Sequence, residues 1–515
     1  MEGQGSPARV HYGQAAGRWV LLATVLGSGL AFIDATVVNI ALPHIAASLH
    51  ADAPGLQWTV NGYTLSLTAL LLLGGSLGDR FGRRRVFVIG VGWFALASLL
   101  CGLAPSIQAL IAARVLQGVG GALLAPGALA ILEASFHPED RARAIGAWSG
   151  LGGIAGALGP FLGGWLVQVA TWRLVFLINV PLAAIVVLVA FRHVPETRNA
   201  GAARRLDVAG VLTCAGGLAG LTYGFTAWPA LGATSPAVIA ALGLGVTSML
   251  GFVLIERRSA HPMLPLEVFA SRAFTAANLV TFTVYAALGG VLFLVVLNLQ
   301  VVAGFEPLAA GTAMLPATVL MLLFSAGAGA LAQRIGPRIP MTLGPVVCAG
   351  ALFLFTRIGP HASYLHAALP AVLLLGAGLS LTVAPLTATA LGSVDERHAG
   401  IASGVNNAVA RAAGLLAVAV LPLAAGLGTG SLTDPAALAP TYRNAMLICA
   451  GLLLAGGATA FAAIPGQSAG QPQPAEPTPA PPSSSPVRFH CSIAGPPLHP
   501  SRPYPRESPE LPHGP

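Results

Sequence analysis

The sequence contains no lysine, since all 26 of its basic residues are arginine. A Walker phosphate-binding loop and a Schiff base each need the lysine amine, so both are excluded. Charge of either sign is scarce: 9% of the 515 residues are charged, whereas soluble domains carry about a quarter. With 55% hydrophobic residues, the composition predicts an all-α protein that crosses a membrane many times.

Patterns for metal ligands and disulfides are missing too. The five cysteines stand singly, which excludes a disulfide framework and a CxxC metal site. None of the twelve histidines belongs to an HExxH motif, so we predict no metal ion and no cofactor. The net charge of +8 does not predict binding to nucleic acid, because the arginines are distributed over alternate loops.

Fourteen apolar runs are long enough to cross a bilayer. They lie at 17–43, 55–78, 85–104, 106–131, 143–168, 173–193, 207–226, 236–255, 274–303, 308–331, 339–357, 364–391, 399–425 and 443–464. Alternate loops are rich in arginine, beginning with the loop after the second run, and the intervening loops contain little. Because cytoplasmic loops are enriched in arginine, we predict a multi-pass protein of the cytoplasmic (inner) membrane with both termini in the cytoplasm.

The sequence repeats itself across two groups of six runs. Residues 75–84 read GSLGDRFGRR and residues 329–338 read GALAQRIGPR, with five identities at equal spacing. Acidic-arginine triplets at 139–141 and 395–397 form a second echo. Many secondary transporters consist of such repeats, with the substrate site between them. The predicted regions are a cytoplasmic N-terminus at 1–16, a first six-helix bundle at 17–193, two inserted helices at 207–255, a second six-helix bundle at 274–464 and a disordered proline-rich cytoplasmic tail at 466–515.

The loop segment GSLGDRFGRRR resembles the signature of the major facilitator superfamily. The segments FIDATVVNIALP, RVLQGVGGALLAPG, GALGPFLGG and WRLVFLINVP, in the first, fourth, fifth and sixth runs, resemble its 14-span drug:proton antiporter branch. The resemblance implies a major facilitator fold of two six-helix bundles plus two inserted helices, and a secondary transporter rather than an enzyme. It further implies a protein in membrane lipid that exports lipophilic small molecules in exchange for protons. The acid within the first run suits cationic compounds among them, and we expect the protein to function as a monomer.

Asp34 is the one acidic residue well inside a predicted span, where a carboxylate is costly. Low dielectric penalises the anion, so such a carboxyl can exchange a proton near neutral pH. At 1.5 Å per residue, Asp34 lies about 22 Å from the cytoplasmic end of the first span, and Arg114 lies about 12 Å from the outer end of the fourth. In a bilayer core of about 30 Å, both residues are therefore at a similar depth. We predict that they form a proton-coupling pair. Purely structural roles are the alternatives, with Asp34 bound by Thr36 or Asn39 and with Arg114 bound to backbone carbonyls and Gln117.

Three further groups of residues are candidates for function. The predicted gating loop contains Gly75, Asp79, Arg80, Gly82, Arg83 and Arg84. The antiporter-like fifth run contains Gly156, Gly159, Pro160, Gly163 and Gly164. The candidate polar residues of a central cavity are Asn39, Asn61, Tyr63, Gln117, Asn298, Asn406, Asn407 and Arg411. In the gating loop, Asp79 lies near a helix C-terminus, where an acid is unfavourable without a basic partner.

Two other functions are compatible with the sequence. One is a carrier for another solute, such as a lipid or a metabolite, although the antiporter-like fifth run argues against uptake. The other is a membrane sensor or scaffold that transports nothing. A scaffold has no use for a buried charge pair, so Asp34 and Arg114 argue against it.

Overall fold

The computed structural model describes residues 10–198, 207–259, 262, 264–394, 399–428 and 430–466. Apart from Gly466, the predicted tail lies outside these residues, and so does the triplet at 395–397. Within the described residues, the regular structure is helical except for one isolated bridge between Val10 and Phe136.

The helices follow the predicted runs closely. The first six spans are α1 (Ala15–Leu49), α2 (Ala53–Phe81), α3 (Arg83–Gly102), α4 (Ile107–Ser135), α5 (Pro138–Val169) and the pair α6 (Leu174–Leu177) and α7 (Asn179–His193). The next two are α8 (Val208–Leu231) and α9 (Pro236–Arg258). The last six are α10 (Arg272–Val301), the pair α11 (Pro307–Thr312) and α12 (Leu315–Ile335), α13 (Arg338–Phe355), α14 (Leu369–Gly392), α15 (Ala399–Ala424) and α16 (Pro435–Ala463).

Among the described residues, thirteen spans are long and apolar enough to cross a membrane, and α2, which bends by 51° between Leu71 and Leu73, makes fourteen. The predicted number of spans is therefore confirmed. The last span begins eight residues before its predicted start at 443, at Pro435. Asp434 caps this helix by accepting from the Ala436 N–H, and a proline suits the first turn. Tyr442, which sequence reasoning left in a loop, is buried and donates to the Phe355 carbonyl.

The two groups of six spans pack in the same pattern. In the first bundle, α1 contacts α5 and α7, α2 contacts α4, and α3 contacts α4 and α7. In the second bundle, α10 contacts α15 and α16, α12 contacts α14, and α13 contacts α14 and α16. Each pair in the first bundle has its counterpart eight spans later in the second, because the two inserted spans lie between the bundles. The inserted α8 lies against α2 and α15, one helix from each bundle, and α9 packs on α8.

The bundles meet at one end of the molecule, which we call the arginine-poor face; the opposite, arginine-rich face contains Arg80 and Arg83. Three glutamines carry the described side-chain hydrogen bonds between bundles, and all three lie towards the arginine-poor face. Gln57 donates to the Val418 carbonyl at 2.8 Å, Gln168 to Glu306 at 2.8 Å, and Gln300 to the Ile40 carbonyl at 3.0 Å.

One stripe of α5 shows where the contact between bundles stops. Residues 146, 150, 153, 160 and 164 lie on one helix face, because they repeat every three or four positions, or a double step of seven. At Gly164 an added Cβ would come within 2.6 Å of the Leu308 backbone, and at Gly153 it would lie 3.8 Å from Leu322. At Gly150 and Gly146 it would meet nothing within 4 Å. The interface is therefore closed at the arginine-poor face and opens into a cleft towards the arginine-rich face.

Candidate functional site

Asp34 and Arg114 are in direct contact inside the first bundle. The Arg114 Nη1 donates to Asp34 Oδ2 at 2.5 Å, and both side chains are almost completely removed from the surface, at 2% and 0% exposed. The depth argument predicted this proximity correctly. Thr36, one of the alternative partners predicted for Asp34, does not bind it, because its hydroxyl donates to backbone carbonyls of α1.

Two amide side chains complete the surroundings of Asp34. Gln117 Nε2 and Asn179 Nδ2 donate to Asp34 Oδ1 at 2.8 Å and 3.3 Å. Both amide nitrogens also donate to the hydroxyl of Ser98, which itself donates to the Phe176 carbonyl at 2.9 Å. Every described partner of Asp34 is thus a donor, an arrangement that suits a deprotonated carboxylate accepting at both oxygens.

Arg114 is held by more than its ion pair. Its Nε donates to the Thr59 carbonyl at 3.0 Å, and Nη1 also donates to Gln117 Oε1 at 2.7 Å. The Tyr63 ring lies 4.4 Å from the guanidinium and the Phe176 ring 5.7 Å from it, both within the range of cation–π contacts. The arginine therefore joins α4 to α1 and α2, and both predicted alternatives for Arg114 hold alongside the ion pair.

Sequence reasoning missed Ser98 and Asn179. Ser98 is the one hydroxyl of α3, in a stretch that is otherwise apolar after Arg85, and the sequence gives no signal of its role. Asn179 belongs to the quoted segment WRLVFLINVP and is the first residue of α7, just after the break from α6. A polar residue within that apolar segment was the one signal in the sequence that could have identified Asn179.

The gating loop is bound within the first bundle. Asp79 finds the basic partner that its position requires, because Arg83 reaches it at 2.8 Å. Arg83 also donates to the Ala130 carbonyl of α4. Gly82 has φ +111°, in the region that favours glycine, and an added Cβ would lie 2.6 Å from the Glu196 carboxylate.

Glu196, which the sequence did not single out, fixes the other side of this loop. It accepts from the Arg84 backbone N–H at 3.2 Å and lies 3.7 Å from both Arg84 Nε and Arg85 Nε. The remaining loop residues contribute less, since Arg80 is exposed and Gly75 faces Pro126 at an ordinary 3.7 Å. In this conformation the loop joins α2, α3 and the end of α7.

The candidate residues of the fifth span divide into two groups, according to the helix that each group faces. Gly156, Gly159 and Gly163 face α1, and at Gly159 an added Cβ would collide with the Thr36 hydroxyl. Proline at 160 cannot donate to the carbonyl four residues earlier, and that Gly156 carbonyl instead accepts from the Thr36 hydroxyl at 3.4 Å.

Gly164 and Pro160 face the second bundle. An added Cβ at Gly311 of α11 would collide with the Pro160 carbonyl, just as one at Gly164 would meet Leu308. These glycines let α5 and α11 approach closely at the arginine-poor face.

Six of the eight cavity candidates lie in three different places. Tyr63 and Gln117 belong to the Asp34 network. Asn298 donates to the Ile358 carbonyl, and Asn406 donates to Asn278 and Thr281, so both connect parts of the second bundle. The third place is the interface between α2 and α15, where Arg411 donates from Nε to Asn407 Oδ1 at 2.9 Å.

The two remaining candidates have buried atoms without a hydrogen bond to any described residue. In Asn61, which is completely buried, both amide atoms lack a described partner. In Asn39 the same holds for Oδ1. Buried amides normally have partners, so Asn61 and Asn39 mark places where a group other than these protein residues could bind.

Comparison with known proteins agrees with this architecture. The model of the Major Facilitator Superfamily matches residues 24–418. The multidrug resistance protein Stp of Mycobacterium tuberculosis is 36% identical over 78% of this chain and 74% of its own. The tetracenomycin C resistance and export protein of Streptomyces glaucescens is 35% identical with the same coverage, and the puromycin resistance protein of Streptomyces alboniger is 38% identical over 78% of this chain and 80% of its own.

Solved structures share the fold at much lower identity. A bacterial homologue of the human lysosomal transporter Spinster, in an inward-facing and occupied conformation, is 18% identical with a TM-score of 0.62, covering 87% of this chain and 97% of its own. A peptide transporter in complex with sulfate is 14% identical with a TM-score of 0.64, covering 90% and 99%. The likeness shows that this chain shares its fold with these structures.

Proposed function

Because the chain belongs to the major facilitator superfamily, we propose that it exports lipophilic small molecules, such as drugs, dyes or a secondary metabolite, in exchange for protons. The observation that supports this most is the sealed ion pair of Asp34 and Arg114. Such a pair costs several kcal/mol of desolvation, and intramembrane ionisable residues mark proton or ion pathways in general. The arginine-rich face is cytoplasmic in this proposal, following the positive-inside rule, in an inner membrane.

Protonation of Asp34 would disturb its neighbours in a defined way. A protonated carboxyl must donate from one oxygen, but Arg114, Gln117 and Asn179 all donate to it. At least one of these hydrogen bonds is lost, and Arg114 keeps its bond to the Thr59 carbonyl of α2. The uptake of a proton by Asp34 therefore weakens the link that Arg114 makes between α1 and α2.

The helix α2 connects the ion pair to the contact between bundles. Thr59 is two residues from Gln57, whose amide donates across the interface to the Val418 carbonyl of α15. A displacement of α2 that breaks this bond would loosen the arginine-poor face and allow the opposite end to close. Inward protons supply about 2.3 kcal/mol per charge per 100 mV for this cycle.

The structure bears on the charge of the exported compound. The prediction of cationic compounds depended on a free carboxylate in the membrane. In this conformation Arg114 and two amides occupy Asp34, so it does not offer that carboxylate to a ligand. We therefore propose lipophilic compounds without assigning them a positive charge.

The decisive experiment uses the full chain in liposomes with an imposed pH gradient and the dye Hoechst 33342. We expect gradient-dependent movement in the wild type and none in Asp34→Asn, which retains the size-exclusion profile and dye binding of the wild type. Glu133→Gln is the matched control, because Glu133 is an exposed acid of α4. Full gradient-driven movement in Asp34→Asn would remove that residue from the mechanism. Movement of no compound in the wild type would favour a sensor.

A further inference from the structure

Arg411 lies in the interior of the membrane-spanning region, at the interface of the bundles. It is twelve residues beyond Ala399, where α15 begins, or about 18 Å along the helix. Its helix, α15, packs against α2 of the first bundle and α10 of the second. The side chain is deep in the protein and yet partly accessible, so it borders the cleft.

Its position along α15 places it just inside the closed end. Val418, which accepts from Gln57, is seven residues further towards the arginine-poor face, or about 10 Å. On α2, Asn61 is one turn from Gln57 and therefore on the same helix face, directed at α15. The cleft thus ends at Arg411, beneath the Gln57 contact, whereas Asn61 and Tyr63 are themselves buried.

Arg411 has no carboxylate partner among the residues that the structure describes. Its one described hydrogen bond goes from Nε to the neutral Asn407, and no described ion pair includes it. Arg114, the other arginine at this depth, has a carboxylate, an amide and a carbonyl. A cation without a counter-charge is costly in a membrane interior, and an anionic ligand would offset that cost.

We propose that the cleft binds compounds with an acidic group on an apolar body, with Arg411 as the anchor for the carboxylate or ionised phenol. The guanidinium end offers a planar fork of N–H donors that matches a carboxylate. This deepens the proposed export function, since it assigns the chemical class of the exported compound.

The test compares two dyes with the same xanthene rings and opposite charge, the anion fluorescein and the cation rhodamine 6G. Binding to the purified full chain in detergent is measured by fluorescence anisotropy. We expect Arg411→Gln to weaken fluorescein binding about 10- to 100-fold, the range for a charge-assisted hydrogen bond. Rhodamine 6G binding stays unchanged or becomes tighter. The control is Arg443→Gln, which removes an exposed arginine of α16 and leaves both affinities unchanged.

A second variant tests the charge without removing the arginine. Asn407→Asp keeps the acceptor for Arg411 Nε and adds the missing negative charge next to it, at almost the same volume. We expect fluorescein to bind more weakly and rhodamine 6G more tightly. Equal losses for both dyes, or no change for fluorescein in either variant, would overturn the proposal.

The binding assay in detergent and the transport assay in liposomes test the two proposals separately. If Arg411 governs fluorescein affinity but no dye moves in liposomes, the proposed export fails and the anion site stands. If Hoechst 33342 moves with the pH gradient but Arg411→Gln binds fluorescein as the wild type does, the export proposal stands and the anion site is wrong.

Discussion

The two bundles share their helix packing and differ in their chemistry. In the first, α1 and α4 contribute Asp34 and Arg114 to a buried ion pair. Their counterparts in the second are α10, whose only charged residue is Arg272 at its first position, and α14, which has none. The second bundle packs in the same pattern, and among its described residues α10 and α14 have no ion pair like that of Asp34 and Arg114. The fold therefore does not require one, and its presence in the first bundle calls for a functional explanation.

The largest expected effect comes from leaving one member of the pair alone. Arg114→Leu leaves Asp34 buried without a counter-charge, which costs about 3–5 kcal/mol. We expect a large fall in the apparent Tm in detergent, measured by intrinsic fluorescence. Adding Asp34→Asn to Arg114→Leu should recover much of the loss, as a double-mutant cycle would show. If Arg114→Leu is as stable as the wild type, the first bundle does not need Arg114 to offset the buried charge of Asp34, and this prediction is wrong.

The next effect concerns the surface where the bundles meet. Gly164→Ala places a methyl group 2.6 Å from the Leu308 backbone, and overpacking of this kind costs about 1–3 kcal/mol. We expect α11 to separate from α5, with faster hydrogen–deuterium exchange in Pro307–Thr312. Gly153→Ala is the control on the same stripe, since its Cβ has an ordinary 3.8 Å contact. Unchanged exchange in Gly164→Ala would contradict the closed interface.

A smaller effect is expected from one hydrogen bond between the bundles. Gln57→Leu removes the donor to the Val418 carbonyl at 2.8 Å and costs about 1 kcal/mol. The end of α15 should exchange faster, while exchange within the first bundle stays the same. An increase confined to the first bundle would show that Gln57 stabilises its own bundle rather than the interface.

The smallest effect lies at the arginine-rich face, where the first bundle binds the segment around Tyr12. The hydrogen bonds that the Tyr12 backbone N–H and His11 donate hold the pKa of Asp140 below its usual value. A lowered folded-state pKa stabilises the bound segment above the ordinary Asp value of about 3.9. That contribution disappears as the pH falls through the folded-state pKa.

Hydrogen–deuterium exchange of residues 10–14, corrected for the intrinsic rate at each pH, measures this effect. In the wild type we expect protection at pH 6 that decreases in the acidic range. In Asp140→Asn we expect weaker protection at pH 6 and a smaller dependence on pH. The same pH dependence in both proteins would show that Asp140 does not hold the segment.

Much of the site could be predicted because span limits and depth are one-dimensional properties. Hydropathy located the fourteen spans, and counting residues along them brought Asp34 and Arg114 to the same depth. Local chemistry also predicted a basic partner for Asp79, which is Arg83. The cavity residues were harder, since a polar residue within a span is compatible with any helix face.

By itself, then, the sequence determined which segments cross the membrane, how the two halves repeat, and how deep each ionisable group lies. Tertiary structure alone decided that Ser98 and Asn179 join Asp34 and that Asn406 bonds within its own bundle. It also decided that Arg411 meets the cleft with no carboxylate partner in the described part of the chain. The physical reason is that depth follows from rise per residue. The neighbours of a side chain depend on the rotation of its helix and on which helices pack beside it.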